Sequence, residues 1–145
     1  MKRFPYGRES SAVIAALHSA QHDNGRYLTA EIMDAVADVL AMPRIQVYEV
    51  ATLYSMFQTK PVGRHCVAIC TNISCMLRGA DDLVNYVEDK LGIKQGESTA
   101  DGRVYLKQEE ECLATCCGAP LMMVDHRYFE NLSEETVDKI LEGLE

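Results

Sequence analysis

Four of the six cysteines stand in two short-spaced pairs, Cys70-x4-Cys75 and Cys112-x3-Cys116. Each pair follows a predicted strand and falls in a loop. Two strand ends of one sheet can bring such loops to the same corner, and four thiolates at one corner can hold a metal. Two-iron iron–sulfur clusters take four cysteines and use loop spacings such as C-x4-C. Structural zinc favours tighter knuckles of two to four intervening residues, so zinc stays open, as do redox thiols and plain buried cysteines. The residues between the thiols are mostly small: Thr71, Asn72, Ile73 and Ser74 in the first loop, Leu113, Ala114 and Thr115 in the second. Small residues let backbone N–H groups approach sulfur, which tunes a cluster's potential. Gly118 is expected to supply an unusual backbone angle, and Pro120 admits a cis bond at an edge position. Cys66 and Cys117 are surplus: Cys66 reads as a small buried hydrophobe in an apolar strand, Cys117 as a loop thiol able to trade places with Cys116.

The rest of the chain limits what such a site can serve. All of the formal charge of −8 falls in residues 64–145, the same half that holds every cysteine, while residues 1–63 are neutral. That balance argues against a general nucleic-acid binder, which needs a basic stripe. No apolar run approaches the roughly 20 residues of a membrane span. The stretch Ala12–Leu17 after the basic start is too short for a signal-peptide core. The chain is therefore expected to be soluble and intracellular, where thiols serve metal or redox chemistry rather than a disulfide framework.

Hydrophobic spacing predicts helices over residues 9–24 (Val13, Ile14, Leu17 and Ala20 inward), after Thr29 (Ile32, Met33, Val36, Val39 and Leu40), and from Pro43 onward. The third carries Ile45, Val47, Tyr48, Val50, Ala51, Leu53, Tyr54 and Phe57, is apolar on most sides, and is expected to pack between other elements or against a partner. Lys60–Gly63 is a break. Beyond it the pattern predicts a strand at His65–Ile69 and a helix over Gly79–Leu91. A half-buried strand follows at Val104–Glu109. Leu121–Val124 and Arg127–Phe129 form a hairpin turning at Asp125-His126, and Ser133 caps a last helix. One crossover helix followed by a meander makes a mixed four-stranded sheet with two helices on one face. The fold class is α+β: a helical bundle over residues 1–63 followed by a second domain over residues 64–145.

Three segments carry a family resemblance: Tyr48-Glu49-Val50-Ala51-Thr52-Leu53-Tyr54-Ser55-Met56-Phe57, Cys70-Thr71-Asn72-Ile73-Ser74-Cys75, and Cys112-Leu113-Ala114-Thr115-Cys116-Cys117-Gly118-Ala119-Pro120. In order and spacing they resemble the small [2Fe-2S] flavoprotein-fragment subunit of the bacterial NADH:quinone oxidoreductase, complex I. The resemblance covers nearly the whole chain. It implies that the second domain is a thioredoxin-like ferredoxin, with Cys70 and Cys75 on one iron and Cys112 and Cys116 on the other. It also implies a larger partner subunit that binds FMN and NADH, further iron–sulfur subunits of a peripheral arm, and a cytoplasmic position at the inner face of the membrane, reached through the complex. Cys117 departs from the family pattern, which more often has a non-thiol residue there. Related subunits serve NAD-linked hydrogenases and formate dehydrogenases, so the motifs alone leave the parent enzyme open. A structural zinc module and a homodimeric ferredoxin shuttle are the readings from other classes.

No G-x-G-x-x-G or Walker-type loop is present, so the chain has no nucleotide-binding motif of its own. No C-x-x-C is present either, which weighs against a working thioredoxin. His18 and His22 lie four apart on a helix and could share a metal, but a solvated face is the plainer reading. Glu109-Glu110-Glu111 directly precedes Cys112 and reads as an exposed strand end or as charge opposing reduction of a cluster. The expected function is one-electron transfer within a larger NADH-oxidising enzyme, with no complete active site in this chain and a low cluster potential.

Overall fold

The computed structural model describes residues 7–108 and 112–144. The chain divides into two compact units, Met1–Pro61 and Val62–Glu145.

In the first unit a 3-10 turn, Glu9–Ala12, runs into α1 (Val13–Asp23), followed by α2 (Ala30–Val39) and α3 (Arg44–Leu53). Thr29 caps α2, its hydroxyl accepting from the Ile32 N–H at 3.3 Å. Leu17, Leu28, Met33, Ala37, Val47 and Ala51 meet in the core of the three helices. Gln21 ties down the segment after α3. Its Oε1 accepts from the Gln58 N–H at 2.7 Å and its Nε2 donates to the Met56 carbonyl at 3.0 Å.

Several details differ from the periodicity. Ile14 and Val39 are exposed, because in so small a bundle only a narrow stripe of each helix faces inward. Pro43 occupies the capping position and Arg44 opens α3. α3 is not packed on most sides: Val47 and Ala51 are buried, Tyr48 and Val50 half-buried, while Ile45 is 65% and Leu53 79% exposed. The helix also ends before Tyr54. There the backbone turns extended (φ −89, ψ 120), and Phe57 returns to the core through a turn in which its N–H donates to the Tyr54 carbonyl at 3.1 Å.

The second unit runs β1 (His65–Ile69), α4 (Ile73–Met76), α5 (Ala80–Leu91), β2 (Glu97–Ser98), β3 (Val104–Lys107), a 3-10 turn at Cys116–Gly118, β4 (Met122–Val124), β5 (Arg127–Phe129) and α6 (Glu134–Glu142). The sheet order is β2-β3-β1-β4-β5. β1 pairs with β3 in parallel across the α5 crossover, and the remaining pairs are antiparallel. In register, Val67 faces Leu106 on one side and Val124 on the other, and Ile69 faces Met122. These residues share one sheet face, which α5 (Leu83, Val84, Val87) and α6 (Val137, Leu141) both cover. Burying each such side chain contributes roughly 1.5–3 kcal/mol. Gly79 (φ 87) and Gly92 (φ 66) bracket α5 in left-handed conformations that glycine adopts without steric cost. The hairpin turns at Asp125 (φ 48) and His126 (φ 69), the two positive angles of a two-residue I′ turn. Ser133 caps α6, accepting from the Thr136 N–H at 3.3 Å.

The sheet thus has five strands, not four. β2 is only two residues long, too short to show an alternating pattern, and pairs with the outer edge of β3. The strand expected over Val104–Glu109 runs Val104–Lys107 and is buried along its whole length rather than half-buried. It lies inside the sheet between β2 and β1, and the Tyr105 ring and Lys107 stem are largely apolar. Glu109 lies outside the described residues.

Candidate metal centre

The four paired cysteines each come from a different local structure. Cys70 follows β1 directly, and its N–H donates to the Leu121 carbonyl at 3.1 Å. Cys75 lies not in open loop but in the single turn α4, which Asn72 caps by accepting from the Ile73 N–H at 3.0 Å. Asparagine ahead of Ile73, Met76 and Leu77 at helical spacing was the available signal for this turn. Cys112 precedes a tight reversal at Ala114 (φ 63), and Cys116 opens the 3-10 turn. Ala119–Pro120 is cis and leads through Leu121 into β4.

The two pairs differ in exposure. Cys70 and Cys75 are each 1% exposed and pack with Ala80, Leu113, Ala119 and Leu121, so Leu113 carries the second loop onto the first. Cys112 and Cys116 are exposed, with their Sγ atoms 3.3 Å apart. The Ala114 N–H donates to Cys112 Sγ at 3.3 Å. Burial pushes the Cys75 thiol up to about 11, helped by its hydrogen bond with Cys70, by the charge on Cys70 and by that on Cys116, and opposed by the Leu121 backbone N–H at its sulfur. A cation beside these sulfurs would reverse that preference and hold them as thiolates.

The unusual backbone angle expected at Gly118 falls at Ala114 instead. Gly118 has no positive φ, and a Cβ there would meet only the side chain of Glu130, an exposed residue that can swing aside. Cys66 is half-buried rather than buried, because it sits near the start of β1 on the face opposite Val67, in register with Tyr105. Cys117 is exposed beside Cys116. His18 and His22 are both exposed on α1, and His22 Nδ1 lies 3.4 Å from Asp23 Oδ1. His65 belongs to the hairpin end of the sheet, its Nδ1 2.6 Å from Asp125 Oδ2, while Asp125 Oδ1 accepts from the Cys66 N–H at 2.9 Å. The Glu109–Glu111 run lies outside the described residues.

Among the described residues no three His, Cys, Asp or Glu side chains stand close enough together to hold a metal ion as they are placed. The thiols stand as two pairs, with backbone N–H groups at one sulfur of each. That donor set fits a two-iron cluster, in which each iron takes two thiolates.

The profile of the thioredoxin-like [2Fe-2S] ferredoxins matches residues 1–145. The chain belongs to this family. Among curated proteins, the E-type subunit of the NADH-quinone oxidoreductase of Rickettsia conorii is 40% identical over 145 residues, covering 100% of this chain and 86% of its own. The second E-type subunit of the NADH-quinone oxidoreductase of Rhizobium meliloti is 41% identical over 141 residues, covering 97% and 82%. In fold, this ferredoxin resembles an NAD+-reducing [NiFe]-hydrogenase solved in its air-oxidised state, with a TM-score of 0.78, 23% identity and 90% of this chain covered. It spans only 22% of that hydrogenase chain, so this likeness speaks to architecture alone.

Proposed function

We propose that this ferredoxin is the one-electron carrier subunit of an NADH:quinone oxidoreductase. Cys70 and Cys75 would hold one iron of a [2Fe-2S] cluster, and Cys112 and Cys116 the other. What supports this reading is membership of a [2Fe-2S] family together with the packing of Leu113, which lies between Cys112 and Cys116, into the cluster that holds Cys70 and Cys75. When bound, such a cluster supplies reversible uptake of a single electron. The chain's own part is to hold it: four thiolates ligate, the Ala114 and Leu121 N–H groups steady two of the sulfurs, and the packing around Cys70 and Cys75 keeps water from one side.

The sequence carries no G-x-G-x-x-G or Walker-type loop, and in this reading a larger partner subunit carrying FMN and NADH splits the hydride into single electrons. Residues 1–63 serve docking and residues 64–145 the cluster. Two exposed apolar surfaces support a partner: Ile45, Leu53, Tyr54 and Met56 on and after α3, and Ile73, Met76 and Leu77 on and after the turn that carries Cys75. No helix among the described residues is long and apolar enough to cross a membrane. In this reading the chain reaches the inner face of the membrane from the cytoplasm, through the other iron–sulfur subunits of the peripheral arm. The relatives above 30% identity carry quinone-linked names, which puts this reading ahead of a hydrogenase or formate dehydrogenase subunit.

The deciding test is the visible and EPR spectrum of anaerobically purified protein before and after dithionite. A red-brown chain with iron and acid-labile sulfide that yields a reduced EPR signal supports the proposal, and a colourless chain holding one zinc ends it. Cys70→Ser, Cys75→Ser, Cys112→Ser and Cys116→Ser should each lose or alter the cluster, and Cys66→Ala should keep it.

A further inference from the structure

The proposed ligand set is closed to solvent on one side and open on the other. Cys70 and Cys75 are each 1% exposed, whereas Cys112 and Cys116 are exposed with their sulfurs 3.3 Å apart. The short loop between the exposed pair is already wound back. Ala114 holds its left-handed turn and its N–H fixes Cys112 Sγ on the side of Cys116. A disulfide bond is about 2.05 Å long, so closing this pair needs a shift of roughly 1 Å in an exposed loop.

We infer that Cys112 and Cys116 are an oxidation site: in the chain without its cluster, hydrogen peroxide joins them in a disulfide, and cluster loading is then blocked until a thiol reductant reopens the pair. This rests on the ligand set proposed above. In the first step one thiolate attacks the peroxide O–O bond, giving a sulfenic acid and, after protonation, one water. The other sulfur then displaces the sulfenic oxygen, forming S–S and releasing the second water. The two thiols lose two electrons and two protons, and the peroxide takes up both.

The competing pairs are disfavoured by the same geometry. Cys70 and Cys75 offer the oxidant no access. Cys116 and Cys117 are adjacent, and neighbouring Cα atoms at about 3.8 Å fall below the roughly 4.4–6.8 Å span of ordinary disulfides. A loaded cluster occupies both open thiols and so protects them. The oxidation site is therefore a property of newly made or stripped chains, which must be reduced before they can be filled.

The test uses the full chain with its cluster removed by acid and chelator under anaerobic conditions, with one portion kept in reductant and one given stoichiometric hydrogen peroxide. Non-reducing peptide mass mapping should show a loss of two hydrogens within the single tryptic peptide that bears Cys112, Cys116 and Cys117, with fragment spectra placing the internal bridge between Cys112 and Cys116. Cys70 and Cys75 should remain alkylatable after unfolding, and a Cys117→Ser variant should give the same product. The oxidised portion should fail to take up a cluster from ferrous iron and sulfide, and dithiothreitol should restore uptake. A main product linking Cys70 to Cys75 or including Cys117, oxidation without a cross-link, or equal uptake by both portions overturns the inference. Failure of the reduced portion to load counts against the ligand set, while the cross-link map decides the oxidation site by itself.

Discussion

Ala114 is the residue at which the centre strains the chain. At φ 63 an L-residue with a Cβ sits in a region that costs about 1–2 kcal/mol, and what it gains is an N–H aimed at Cys112 Sγ. Glycine would keep the N–H and remove the Cβ, at some cost in unfolded-state freedom. Ala114→Gly should therefore keep the cluster and gain up to about 1 kcal/mol, while Ala114→Val should lose more than about 1 kcal/mol, since β-branching worsens the same clash. Thermal melts of the loaded chain followed by cluster absorbance check both, and a glycine variant that bleaches at lower temperature than the parent would remove the strain argument. This position also marks a limit of sequence reading. The four thiols and the small residues between them are legible, because ligand chemistry and spacing are local properties. The left-handed turn is not: alanine carries no turn signal, and the nearby Gly118, which does, has no positive φ.

Among the elements, α5 and α6 are joined by a polar clamp at the rim of the apolar core they share. Asp138 accepts from the Tyr86 hydroxyl at 2.6 Å and lies 2.5 Å from Lys90 Nζ. The hydrogen bonds of Lys90 and then Tyr86 hold the Asp138 carboxyl below its usual range, and the bond to Asp138, with burial second, pushes the Tyr86 phenol up to about 12. The lowered carboxyl contributes stability that is present above its unfolded value, about 3.9, and fades as pH falls through the lower folded value. The raised phenol contributes stability that is complete below its unfolded value, about 10, and fades as pH rises toward the folded one. Comparing thermal melts of the parent and Tyr86→Phe, both without cluster, the stability difference should be greatest near neutrality and shrink toward both ends. A difference that holds constant into acid would show that the clamp does not depend on an ionised Asp138. Helix positions and caps such as Thr29 and Ser133 are legible because they follow from periodicity and side-chain chemistry. The environment of α3 is not, since Ile45 and Leu53 have the same hydropathy whether a face meets its own core or a partner. β2 escapes for a simpler reason: its pairing is decided by β3, not by Glu97 and Ser98 themselves.

At the scale of the whole molecule, the unequal charge bears directly on the proposed electron transfer. Net charge is a sum that folding does not alter, so the placement of all −8 in residues 64–145 is legible without a structure. An oxidised [2Fe-2S] core with four thiolates carries about −2, and one electron makes it about −3. Each carboxylate at about 10 Å, with an effective dielectric near 20, opposes that electron by roughly 1.7 kcal/mol, or on the order of 70 mV before screening. The Ala114 N–H, 3.3 Å from Cys112 Sγ, acts in the opposite sense but at contact distance, where dissolved ions do not intervene. The two influences therefore separate by salt. The Debye length falls from about 30 Å at 0.01 M to about 3 Å at 1 M, which removes most of the carboxylate repulsion and leaves the N–H contribution intact. A redox titration of the loaded chain should give a midpoint well below zero that climbs by tens of millivolts over that range of salt. A midpoint near zero or above would show that the local donors outweigh the acidic unit. A low midpoint indifferent to salt would place its origin in the coordination itself rather than in the charge of residues 64–145.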